Sequence, residues 1–102
     1  MPAATLERAS LTGPAGAIET DINDPGASRR GIAVIAHPNP VQGGTKDNKV
    51  VTTLAKAFYN LGYVALRPNF RGVGASAGTH DRGIGEADDL VAVASHAMKL
   101  YG

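Results

Sequence analysis

Gly74-Ala75-Ser76-Ala77-Gly78 spells G-x-S-x-G, the pattern of a nucleophile elbow, where a strained strand-to-helix turn lifts a serine hydroxyl toward a substrate carbonyl. Acyl transfer by such a serine needs a histidine base, an acid to orient it and backbone N–H groups to hold the oxyanion. The nominal partners are Asp89 and His96. Seven residues apart on one helix, they share a face but stand about 10.5 Å apart along its axis, beyond hydrogen-bond reach. The turn is also too loose. Phe70 to Val73 separate the motif from the preceding strand, and Thr79 to Gly83 separate it from the following helix. Ser76 is therefore expected to be a decoy.

The same loop holds Gly72-x-Gly74-x-x-Ala77, an approximation to a dinucleotide fingerprint. That motif works only when a helix begins within it, so that helix amides meet the pyrophosphate. Here the helix begins later, and no G-K-[ST] follows any glycine loop. Arg71 could bind an anion, although an arginine beside glycine more often ties down backbone carbonyls. His80, Asp81 and His96 fit no zinc spacing, so no metal or other cofactor is expected.

A second loop, His37-Pro38-Asn39-Pro40-Val41-Gln42-Gly43-Gly44-Thr45, follows an apolar run. Pro38 and Pro40 have no N–H, so within the tetrapeptide only His37 and Asn39 can donate from the main chain. The Asn39 amide is the candidate oxyanion donor. Gly43 and Gly44 let the chain turn into the next helix. The alternative is that the whole loop is a plain strand-to-helix connection.

These loops need elements to position them. Thr5 to Leu11 and Ala17 to Ile22 read as strands joined by the turn cluster Gly13-Pro14-Ala15-Gly16. Asn23 to Arg30 is a polar loop. Gly31 to Ala36 is a continuous apolar run, expected as a strand covered on both faces of a parallel sheet. From Asp47, the residues Val50, Val51, Leu54, Ala55, Ala57, Phe58 and Leu61 recur at helical spacing. Thr45 or Asp47 is the expected cap, and Gly62 ends the helix. Tyr63 to Arg67 reads as another strand, and Ile84 to Leu100 as a second helix with Glu86, Asp88 and Asp89 near its start and Lys99 near its end. Hairpin, strand, helix, strand, helix is an α/β order with a parallel strand pair.

The loops His37 to Thr45 and Asn69-Phe70-Arg71-Gly72-Val73-Gly74-Ala75-Ser76, with Asp47-Asn48-Lys49-Val50-Val51 between them, resemble a group of small bacterial α/β-hydrolase-superfamily proteins. That group carries H-P-x-P-x-x-G-G-T after the third strand and N-F-R-G-x-G-x-S after the fourth. The resemblance spans about residues 15 to 98 and rests on two separated motifs in the right order. It implies a partial α/β-hydrolase fold, strand order 1-2-4-3-5-6-7-8, and a Ser, Asp, His triad on later loops. His37, Pro38, Pro40, Gly43 and Gly44 are expected to shape the loop that carries the Asn39 amide. In that group the loop bearing Arg71, Gly72 and Gly74 positions structure, and its serine is not the nucleophile. A histidine is commoner at the position of Asn39, a departure of little weight if the main chain does the work.

By this resemblance, residues 1–102 form the N-terminal part of a single domain, with nucleophile, acid and base beyond the terminus. The substrate would be a small ester or amide. The apolar strand would lack a neighbour where a fifth strand belongs, an edge prone to self-association or to pairing with a complementary C-terminal part. Two other classes stay open: a non-catalytic assembly module made of the truncated fold, and a nucleotide-binding α/β protein.

Composition agrees with a folded domain, at 43% apolar and 19% charged residues over 102 positions. Ten Lys and Arg against nine Asp and Glu leave a formal charge of +1. The basic residues are scattered, so nucleic acid is not an expected partner. Cysteine is absent, which rules out disulfides and a thiol nucleophile. No run approaches the roughly 20 apolar residues of a membrane span, and Met1 to Ser10 lacks a signal-like apolar core. A cytoplasmic location is the expectation.

Overall fold

The computed structural model describes residues 6–26, 28–39 and 43–102. Thr5, where the first strand was expected to start, and Pro40 lie outside the described residues. Six elements follow in chain order: β1 (Leu6–Gly13), β2 (Gly16–Asn23), β3 (Gly31–Val34), α1 (Lys49–Asn60), β4 (Tyr63–Pro68) and α2 (Ile84–Tyr101). The four strands form one mixed sheet in the order β1-β2-β4-β3. β1 and β2 pair antiparallel from Leu6↔Asn23 to Gly13↔Gly16, leaving Pro14-Ala15 as the turn. β2 pairs antiparallel with β4, and β3 pairs parallel with β4 from Gly31↔Tyr63 to Val34↔Leu66. The expected α/β order with a hairpin and a parallel pair is what the chain adopts.

Alternation along β4 splits the molecule into two cores. Val64 and Leu66 face α2 and pack with Leu11, Ile18, Ile22, Val93 and Ala97. Ala65 faces the other way and packs with Ile35, Val51 and Ala55 under α1. A helix therefore covers each face of the sheet, as a strand crossing through a helix to a parallel neighbour requires.

Two expectations are corrected. The apolar run Gly31 to Ala36 was expected to be the fully covered strand, but all four residues of β3 are half-buried while Val64, Ala65 and Leu66 of β4 are fully buried. β3 is apolar and stands at the sheet edge, with β4 as its one strand neighbour among the described residues. The cap of α1 is neither Thr45 nor Asp47 but Asn48, whose Oδ1 accepts from the amides of Val50 (2.9 Å) and Val51 (3.4 Å). Asn48 stands directly before the first helical residue, where a short polar side chain reaches the exposed amides. Among the described residues, no helix is long and apolar enough to cross a membrane.

Candidate active site

Pairing with β4 continues one residue past β3, through Ile35 N–H to Leu66 O at 2.9 Å. The chain then turns at the carboxyl end of the sheet, where α/β proteins place their ligands. His37 is buried there. Its Nδ1 donates to Pro38 O at 2.8 Å and its Nε2 accepts from Phe70 N–H at 2.9 Å. This pairing fixes the tautomer and commits both nitrogens. The ring also meets Phe70 edge-on at 4.6 Å. His37 thus fastens the loop after β3 to the loop after β4.

The loop closes on itself through Gly44 N–H to Asn39 O at 3.1 Å. A Cβ on Gly44 would overlap the Pro38 carbonyl, so only glycine permits this approach. Gly43, at φ +86°, supplies the reversal just before it. Asn39 is exposed on the wall of a cleft of about 540 Å³ that His37 also lines. Phe70, Ala87 and Leu90 give the cleft an apolar surface, with His80 and Glu86 as polar neighbours.

Behind this loop, Lys46 is held at three points. Its N–H donates to Asn69 Oδ1 at 2.8 Å, its carbonyl accepts from Arg67 at 2.8 Å, and its ammonium reaches Asp21 Oδ2 at 2.9 Å. Lys46, Asp21 and Arg67 are all buried. Nothing in the local sequence marks Lys46, since a lysine in a polar loop is ordinarily solvated.

The glycine-rich loop after β4 is equally committed. Ser76 is 7% exposed, donates to Asn69 O at 2.7 Å and accepts from Glu19 N–H at 2.9 Å. Asp89 is taken by Arg71, which contacts both carboxylate oxygens (3.1 and 2.9 Å) and also holds Gly85 O. His96 bonds to Thr12 O at 3.0 Å. Ser76, Asp89 and His96 are thus each engaged elsewhere. Gly74, at φ +54°, brings the backbone against Glu19 and Asn69, where a Cβ would collide with both.

Five of the loop amides are also engaged. Those of Gly72, Val73, Ser76 and Ala77 donate to carbonyls of the chain, and that of Ala75 to Glu19 Oε1. A phosphate would have to displace these bonds and approach two carboxylates, so the nucleotide-binding reading is not favoured. Among the described residues, no three His, Asp or Glu side chains gather for a metal.

At the start of α2, buried Glu86 accepts from Asp81 N–H (2.9 Å) and Gly83 N–H (3.0 Å) and pairs with His80 Nδ1 at 2.9 Å. Arg82, at φ +54°, and Gly83, at φ +92°, turn those two amides onto the carboxylate. Burial opposes ionisation of Glu86, but these amides and His80 outweigh it and hold its carboxyl below the usual 4.5. Glu19 is lowered too, by the Ala75 amide and then by Asn69.

Both carboxyls bind protons more readily in the unfolded chain. Their stabilisation is complete above 4.5 and is lost as pH falls through their lower folded values. Urea unfolding between pH 6 and 3 should show stability dropping below 4.5, with a shallower slope in Glu86→Gln.

No protein-family model matches the sequence. An uncharacterized protein of Rickettsia prowazekii is 43% identical over 79 residues, which are 78% of this chain and 33% of that protein. Among solved structures, an α/β serine hydrolase homologue from Coxiella burnetii is 44% identical and superposes with a TM-score of 0.87, covering 97% of this chain and 48% of its own. A member of the α/β serine hydrolases without a lid, from Xanthomonas campestris, is 39% identical with a TM-score of 0.86, over 97% of this chain and 46% of its own. The chain thus spans between a third and about half the length of these relatives. With the strand order β1-β2-β4-β3 and this likeness along nearly its whole length, the chain belongs to the α/β-hydrolase superfamily and carries part of its fold.

Proposed function

We propose that the chain is the oxyanion-bearing part of a serine hydrolase that cleaves a small ester or amide by acyl transfer. The observation that carries this reading is the His37 to Gly44 loop, fastened at the carboxyl end of β3 with Asn39 on the wall of the cleft. In this reading the Asn39 N–H donates to the oxyanion of the tetrahedral intermediate. Pro38 has no N–H to compete and stiffens the loop. The nucleophile, base and acid lie on polypeptide that adds to the outer edge of β3.

Apolar residues are exposed on both helices. Val50, Leu54 and Leu61 are exposed on or just after α1, and Ile84, Val91 and Met98 are exposed along α2 at seven-residue spacing. Such faces suit a further strand with helices on either side of it. The identity with serine hydrolase homologues lends further support. The chemistry requires no metal or organic cofactor.

Labelling with a fluorophosphonate and mapping the adduct by peptide mass spectrometry tests the reading. A fusion of this chain to the remainder of the Coxiella homologue should label at a serine outside residues 1–102. Ser76→Ala should leave that labelling unchanged while lowering stability by about 1–3 kcal/mol, because Glu19 N–H and Asn69 O lose their partner. An adduct on Ser76 would overturn the assignment.

A further inference from the structure

A second cavity, of about 240 Å³, opens between α1 and the β2–β4 pair and shares no lining residue with the cleft beside His37. Thr52, Lys56 and Tyr59 line it from α1, at spacings of four and three that set them on one helix face. Asn23 lines it from β2 and Arg67 from β4. All five carry hydrogen-bonding groups, two are cationic, and none is a carboxylate.

The wall has capacity in hand. Arg67 spends one terminal nitrogen on Lys46 O, with Asp47 Oδ1 at 3.5 Å, and the other on Asp21 Oδ2; its Nε has no acceptor among the described residues, and Oδ1 of Asp21 likewise has no donor. Its side chain is 9% exposed. A buried guanidinium with an unmade bond calls for an explanation, and an anion or water nearby is the usual one. The charge balance points to the anion. Asp21 is shared by Arg67, Lys46 and, more loosely, Arg8 at 3.8 Å. The other carboxylate in this cluster, Asp47, is 67% exposed and therefore screened by water. Lys56 adds a further cation with no partner in the cluster. The Thr52 hydroxyl already donates to Lys49 O at 3.0 Å, which leaves Lys56, Tyr59, Asn23 and Arg67 to supply donors.

We infer that this cavity binds a phosphate-class oxyanion, either inorganic phosphate or the phosphoryl end of a small ester. Charge from Lys56 and Arg67 attracts it, and the Tyr59 hydroxyl and Asn23 amide donate to its oxygens. The inference does not depend on the hydrolase reading.

Titration of the protein with inorganic phosphate and, separately, glycerol phosphate at constant ionic strength tests it, read by thermal midpoint and by amide chemical shifts. A saturable rise in midpoint is expected, with shifts concentrated between Thr52 and Tyr59. Lys56→Gln and Tyr59→Phe should each weaken the apparent affinity at least fivefold. Lys56 is exposed and Tyr59 half-buried, so both variants keep the fold. Saturation by phosphate alone identifies the free ion as ligand, and tighter binding of glycerol phosphate identifies an ester. A rise that does not saturate, or that is the same in Lys56→Gln, is exclusion of phosphate from the whole surface and overturns the inference.

Discussion

Asn39→Pro should lower kcat for an activated ester by about 10²–10³-fold in the fusion to the remainder of the Coxiella homologue, while Asn39→Ala stays within a few-fold of the parent. Proline deletes the main-chain donor and alanine keeps it, so the pair separates backbone from side chain. The expected size follows from chemistry. A donor aimed at developing charge strengthens in the transition state, and removing one such donor elsewhere costs about 2.7–4 kcal/mol. KM should change little, because the ground-state carbonyl carries less charge than the oxyanion. The loop around Asn39 is braced through His37 to Phe70 and through Lys46 to Asn69, and the Asn39 carbonyl that accepts from Gly44 N–H is kept by proline. Circular dichroism and urea unfolding of Asn39→Pro should therefore resemble the parent. Equal losses in both variants would move the donor to the Asn39 side chain. No loss in either would remove Asn39 from the reaction.

Local pattern carried much of the fold. β-Branched runs, turn clusters and one helical stripe predict the hairpin, the parallel pair and both helices within a few residues, because each is set by neighbours in sequence. The two loop motifs pointed to the family for a different reason. Close backbone contacts, such as Gly44 against Pro38, leave little freedom in residue type. What stayed hidden depends on contacts between distant residues. That β3 stands at an edge follows from strand order, which hydropathy does not encode and only the family resemblance implied.

The brace behind the candidate oxyanion loop joins Asp21, Lys46, Arg67 and Asn69 across 48 positions of sequence. One trace of it was visible: Arg67 in an apolar strand and Asp21 in an alternating one, a pair of charges that two adjacent strands could bring opposite each other. They are register partners. Similarly, Arg71 beside glycine suggested a tie to backbone, and the tie to Gly85 O comes together with Asp89. The acidic start of α2 suggested a favourable dipole. Glu86 does cap that end, whereas Asp89 serves the Arg71 contact.

Asp21→Leu should destabilise the protein by about 3–5 kcal/mol, a large share of the roughly 5–15 kcal/mol typical of such a domain. Asp21 is 1% exposed, and its loss leaves buried Lys46 and Arg67 with only the exposed carboxylate of Asp47 as an acidic partner. Burial works against the charged form of Lys46, but bonds to Asp21 and Asp47 more than offset it and raise its pKa above 10.5. The contribution of the raised Lys46 is complete below that value and is lost only as pH rises through the folded pKa, so at pH 7 it is fully present.

Much of the penalty of Asp21→Leu is the uncompensated charge left behind, not the worth of the pair itself. Lys46→Met in the Asp21→Leu background should therefore recover stability instead of costing more. Arg67 keeps its bond to the carbonyl of residue 46, and the amide of residue 46 keeps Asn69, so the loop retains two of its three anchors. Urea unfolding of the parent, both single variants and the double variant gives the coupling directly. A strongly non-additive cycle, with the double variant more stable than Asp21→Leu alone, is the expected result. Additive losses would mean that Asp21 and Lys46 act separately, with the loop held by its backbone bonds and the ion pair incidental to it.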